Sequence, residues 1–98
     1  MRLKPDEVQA IKAAARTAFG DDAVVRLFGS RVRDDLRGGD IDLHFEVAPG
    51  RGTDREIVRF ENALFERIDD QRVDTLFTVR GTPPTPFERI AYRDGIVL

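Results

Sequence analysis

Nine residues separate Gly29-Ser30 from Asp40-Ile41-Asp42. The second group opens a run, Asp40-Ile41-Asp42-Leu43-His44-Phe45-Glu46-Val47, in which polar and apolar residues alternate strictly. A period of two marks a β-strand with one face in the core. Side chains alternate sides along a strand, so Asp40, Asp42, His44 and Glu46 share one face, and Ile41, Leu43, Phe45 and Val47 the other. The apolar set must be the core face. Two carboxylates two residues apart on the open face can reach one cation, and Mg²⁺ takes oxygen ligands, commonly one or two protein carboxylates together with substrate phosphates. Gly29 lets the backbone approach a phosphate closely. Ser30 offers a hydroxyl and a backbone N–H at the start of a helix, where anions are favoured. Separately, each feature has a plainer reading, as solvated acids on an exposed strand and as a serine-capped turn. Acids are poor strand formers, however, and a phosphate-cradling turn beside paired carboxylates is what magnesium-dependent nucleotidyl transfer needs. In two-metal sites the ions lie roughly 3.5–4 Å apart and clamp the entering and leaving oxygens.

The elements that must position these groups are bounded first by composition. With 98 residues, the chain is expected to form one domain, residues 1–98, with a modest single core. It has no cysteine, which excludes disulfides and thiolate metal sites, and its single histidine excludes a multi-histidine zinc site. A net charge of −2 argues against a broad electrostatic grip on nucleic acid, although a local basic patch is compatible with it. No stretch approaches a membrane span, and the first residues are too polar for a secretory signal, so a cytoplasmic location fits.

Along the chain, Val8, Ile11, Ala15 and Phe19 recur at helical spacing. Pro5, Asp6 and Glu7 suit the first turn and Gly20 the end, which predicts a helix over 5–19. Residues 23–28 read as a strand with Val25 and Leu27 inward, Ser30 to about Leu36 as a short helix, and 40–47 as the acidic strand. Thr53 and Glu56 have capping-box spacing ahead of the apolar stripe Ile57, Phe60, Leu64, Phe65 and Ile68. Residues 72–79 form the next strand, and about Pro84 to Tyr92 a last helix before Ile96-Val97-Leu98. The short link between the first two strands suits an antiparallel pair, and the helix between the second and third suits a parallel crossover. The expected fold is α/β (α+β): a mixed sheet of three strands or slightly more, with helices packed on one face.

Leu27-Phe28-Gly29-Ser30-Arg31-Val32-Arg33, followed by Gly39-Asp40-Ile41-Asp42-Leu43, resembles the minimal nucleotidyltransferase family of the DNA polymerase β superfamily. The element order resembles that family over essentially the whole chain, while the specific motif covers Leu27 to Leu43. The resemblance implies a palm-like fold, Mg²⁺ held by Asp40 and Asp42, and ATP as nucleotide donor. It further implies that Gly29, Ser30 and Arg31 meet the triphosphate, although Arg31 could equally pair with a surface acid. The family's third carboxylate, a general base or second-metal ligand, matches Asp74; Asp69 and Asp70 fall in the polar turn before it. If the strands are parallel, Asp74 falls beside Asp40 and Asp42. His44 reads as a partly exposed sheet histidine without a role, and Glu46 as solvated. Where the family commonly has a small glycine, this chain has Asp34-Asp35 near the expected triphosphate path.

Larger transferases carry an extra acceptor-binding domain, for which 98 residues leave no room, so the acceptor is expected from a partner or in an open cleft. The rim of the open face, with Arg31, His44 and the Gly81–Pro86 loop, is the expected entry. The family resemblance implies an antitoxin that moves AMP from ATP onto a tyrosine of a HEPN-family toxin. Two alternatives accompany it: a fold that neutralises its partner by binding alone, and a transferase for a small-molecule hydroxyl.

Overall fold

A computed structural model describes residues 3–32 and 40–98. Helix α1 spans Pro5–Phe19, as its periodicity predicts. The Lys4 N–H donates to Glu7 Oε1 at 2.9 Å, so an acid in the first turn satisfies a donor the helix leaves open. The other end stops at Gly20, whose φ of 98° strongly favours glycine. Strand β1 is Val24–Phe28, followed by a 3₁₀ turn over Gly29–Val32. That turn is the described part of the short helix expected to run to Leu36. The rest of it, with Arg33, Asp34 and Asp35, lies outside the described residues, as do Gly38 and Gly39.

Strand β2 is Ile41–Val47, α2 is Asp54–Phe65, β3 is Val73–Val79, α3 is Pro86–Asp94 and β4 is Ile96–Val97. The predicted capping box opens α2: Thr53 Oγ1 accepts from the Glu56 N–H at 3.2 Å, and Glu56 Oε1 accepts back from the Thr53 N–H at 3.4 Å and also from the Gly52 N–H at 2.7 Å. The sheet order is β3-β2-β1-β4. Strand β1 is antiparallel to both β2 and β4, and β2 is parallel to β3 across the α2 crossover. The mixed α+β architecture is therefore as expected, with Ile96-Val97 adding a short fourth strand.

Ile41, Leu43, Phe45 and Val47 are all fully buried, so the alternation in β2 names its core face correctly. Against that face lie α1 and α2. Phe19 of α1, Phe45 of β2, Phe60 of α2 and Phe77 of β3 interlock, with ring centroids 4.9–5.7 Å apart. Burial of each large apolar side chain contributes roughly 1.5–3 kcal/mol, so this knot fixes both strands that carry the acids. Helix α3 departs from the expectation of helices on one face. It lies on the other face, with the Tyr92 ring 4.7 Å from that of His44. His44 is consequently fully buried rather than partly exposed.

Candidate active site

Strands β2 and β3 start side by side. Their register pairs Ile41 with Val73 and Asp42 with Asp74. The Ile41 N–H donates to the Arg72 carbonyl at 3.2 Å, which closes the ladder one residue earlier and sets Asp40 beside Arg72. Paired residues in a sheet share a face. Asp40, Asp42 and Asp74 thus come together on the face opposite the core, as their spacing predicts. Asp69 and Asp70 stay exposed in the turn before β3.

This juxtaposition has an electrostatic cost. Burial first, then the negative charges of Asp74 and Asp40 and a hydrogen bond with Asp74, push the Asp42 carboxyl up from its ordinary value, while Arg72 pulls it back. The Arg72 Nε lies 3.4 Å from Asp40 Oδ2 and 3.4 Å from Asp74 Oδ1, bridging the two. Sequence reasoning assigned Arg72 no role. The signal was an arginine two residues before an acid on one strand, which puts both on the same face.

Gly29 closes the site from the side. Phe28 pairs with Asp42, so Gly29 follows directly beyond the end of β1. Its φ is 77°, and a Cβ there would run into the Asp42 carboxylate, lying only 3.2 Å from the Asp42 Cβ. The glycine is needed for Asp42 itself, beyond any phosphate. Ser30 follows in the 3₁₀ turn. Arg31 Nη2 donates to Gln71 Oε1 at 3.3 Å, and Gln71 Nε2 in turn to Glu7 Oε2 at 3.5 Å. Arg31 therefore leans toward the lead-in to β3. A groove of about 450 Å³ opens beside Gly29, lined by Phe28, Val32, Phe87, Ile90 and Asp94.

The far end of the same face is built differently. Thr78 Oγ1 donates to Glu88 Oε1 at 2.6 Å, so its oxygen is left to accept from His44 Nε2 at 2.9 Å. That arrangement puts the His44 proton on Nε2. Burial and the Arg26 charge hold His44 below its ordinary value, hence neutral near pH 7. Glu46, expected to be solvated, accepts from the Tyr92 hydroxyl at 2.7 Å and from Arg80 Nε at 3.1 Å. These bonds hold its carboxyl below its ordinary value, the Tyr92 hydroxyl most of all. Among the described residues, His44 Nδ1 and Arg26 Nη1 are buried without a hydrogen-bond partner. The Arg26 guanidinium rests instead over the Tyr92 ring, 4.4 Å from its centroid. The Gly81–Pro86 loop follows this end of β3 and lies beside Glu46 and Tyr92. At about 3.3 Å per residue it is well over 10 Å from Asp74, so neither it nor buried His44 forms the expected rim around the acids.

Among the described residues, no three His, Cys, Asp or Glu side chains are already arranged as a metal-holding group. Asp40, Asp42 and Asp74 are neighbours with a guanidinium across two of them. Among the described residues, no helix is long and apolar enough to cross a membrane.

No family model matches the chain, and no curated protein does. Among solved structures it is similar to one described as a putative nucleotidyltransferase from Sulfolobus solfataricus, at 19% identity over 99% of this chain and 89% of that one, with a TM-score of 0.49. At that distance the likeness assigns neither an activity nor site residues to this chain.

Proposed function

We propose that this chain is a Mg²⁺-dependent nucleotidyltransferase that moves AMP from ATP onto a protein hydroxyl, acting as the antitoxin of a HEPN-family toxin modified on tyrosine. The observation that carries the reading is the register of Asp42 against Asp74, with Asp40 one step away and Gly29 giving Asp42 its clearance. The donor set fits a hard divalent cation. It offers carboxylate oxygens from two adjoining strand starts; burial first and then repulsion by Asp74 and Asp40 raise the Asp42 carboxyl, and that repulsion is what a cation relieves.

In this reading Asp40 and Asp42 hold the metal, and Asp74 is a further ligand or the base for the acceptor. Bound there, Mg²⁺ would supply charge neutralisation for the phosphates and lower the cost of deprotonating the attacking hydroxyl. The Gly29-Ser30 backbone and Arg31 meet the triphosphate. The acceptor oxygen bonds to the α-phosphorus of ATP, the bond from that phosphorus to the bridging oxygen breaks, and pyrophosphate leaves. The acceptor's proton passes to Asp74. The apolar groove beside Gly29, edged by Phe28 and Phe87, suits the ring of a tyrosine acceptor.

The test is transfer of label from α-labelled ATP, with Mg²⁺, onto whatever protein co-purifies with the chain, followed by mass spectrometry for added AMP. Near wild-type transfer by both Asp40→Asn and Asp42→Asn would sink the enzyme reading. Neutralisation by binding alone is the second reading, favoured by the guanidinium already lying against Asp40 and Asp74. Its signature is a neutralised partner that carries no metal-dependent label.

A further inference from the structure

Arg72 is held at one end and loose at the other. Its carbonyl is fixed by the Ile41 N–H at 3.2 Å. Its side chain is 73% exposed, yet its Nε sits 3.4 Å from an oxygen of Asp40 and 3.4 Å from an oxygen of Asp74. A well-formed charged N–H···O bond is shorter, roughly 2.7–2.9 Å. The guanidinium is therefore shared between two carboxylates without being locked to either. It also lies against carboxylate oxygens of Asp40 and Asp74, two of the three acids that the proposed reading gives to the metal site. A divalent cation drawn to the same oxygens meets a positive charge already there, and the two compete.

We infer that Arg72 is a resident counter-cation of the carboxylate site, one that must swing away before a divalent cation can bind. This rests on the proposed metal-dependent reading of Asp40, Asp42 and Asp74. Arg72 offsets part of the negative charge of the metal-free site and so keeps three acids together in the fold. The same contact makes it a competitor, which raises the cation concentration at which the site fills. It is a positioning residue, because it acts on the carboxylates and through them on the metal.

The experiment is titration of Mn²⁺, as a spectroscopically visible probe, into the full chain without nucleotide, followed by paramagnetic resonance and calorimetry. Wild type, Arg72→Gln and Arg72→Lys are compared at low salt. Loss of two exposed ion contacts predicts Mn²⁺ binding roughly three- to tenfold tighter in Arg72→Gln, with Arg72→Lys in between. Arg72→Gln should also melt below wild type in chelator and recover with Mn²⁺. Equal or weaker binding by Arg72→Gln, or a melting deficit that Mn²⁺ does not restore, overturns the inference. The metal reading is separable. If wild type binds Mn²⁺ and Asp42→Asn does not, that reading stands whatever Arg72→Gln does. If neither wild type nor Arg72→Gln binds Mn²⁺, with or without ATP, both fall.

Discussion

Two polar clusters share one face of β2 and treat charge in opposite ways. At the start of the strand, Asp40, Asp42 and Asp74 stand together, and an exposed guanidinium is shared between two of them. At its end, Glu46 is closed by Tyr92 and Arg80, and Glu88 by Thr78 and Thr85. Burial and neighbours raise the Asp42 carboxyl, whereas hydrogen bonds lower those of Glu46 and Glu88. The difference teaches where to look for chemistry. Charge that serves the fold is satisfied within the fold, and charge left in conflict is available to something the fold does not contain.

The largest expected effects fall on transfer. Asp40→Asn and Asp42→Asn should abolish it while leaving the domain folded, since neither side chain belongs to the core. Asp74→Asn should cut turnover by about 10²–10⁴-fold, with little change in ATP affinity measured by calorimetry, if it is the base. A loss confined to affinity would make it a metal holder only. Arg31→Glu should impair transfer to the partner, and Arg59→Glu, on the exposed side of α2, should not. The reverse result would move the docking face. By contrast, Glu46→Gln at the satisfied end should leave transfer unchanged.

Gly29→Ala comes next. A positive φ imposed on alanine costs about 1–3 kcal/mol, and its methyl group would push the Asp42 carboxylate aside. Denaturant unfolding should show the loss of stability, and transfer should fall with it. Full activity in this variant would mean that Asp42 does not need its observed position.

The smallest effects sharpen the comparison most, because neutralising two carboxylates on one face should have opposite signs. Glu46→Gln should cost about 1 kcal/mol at pH 7 through its charged hydrogen bonds. Glu46 titrates below its ordinary 4.5 in the folded chain, so its contribution is present above 4.5 and disappears as pH falls through the folded value. Asp42 titrates above its ordinary 3.8. The folded chain therefore holds that proton more tightly than the unfolded one, and stability is lost as pH rises through the folded value. Asp42→Asn should raise stability at pH 7 by about 0.2–1 kcal/mol, the range for like charges opposed across strands. The gain should vanish below 3.8. Melting curves of both variants from pH 3 to 7 decide it, and a fall for Asp42→Asn at pH 7 would break the contrast.

Much of this arrangement was legible in the sequence. The alternation in 40–47 named both faces of β2, and a helix between two strands implied the parallel pairing that brings Asp74 to Asp42. What alternation cannot say is what covers a face. His44 reads as partly exposed and Glu46 as solvated because nothing in β2 announces α3 above them. The signal lay elsewhere: Glu88, Ala91 and Tyr92 fall on one side of α3, and Arg26, His44, Glu46 and Thr78 on one side of the sheet, so polar groups on both needed partners. Arg72 escaped notice for a related reason. Its meaning depends on Asp40, which reaches it only through the sheet register.

The parallel crossover also orders events in time. Strands β1 and β2 are neighbours in sequence and can pair early, carrying Asp40, Asp42 and Gly29 with them. Asp74 joins them only when β3 docks across the α2 crossover, the kind of non-local closure that folds more slowly. A chain still emerging from the ribosome thus has its first two acids well before its third. Under the proposed chemistry it stays silent until β3 has docked and the third acid stands beside the first two.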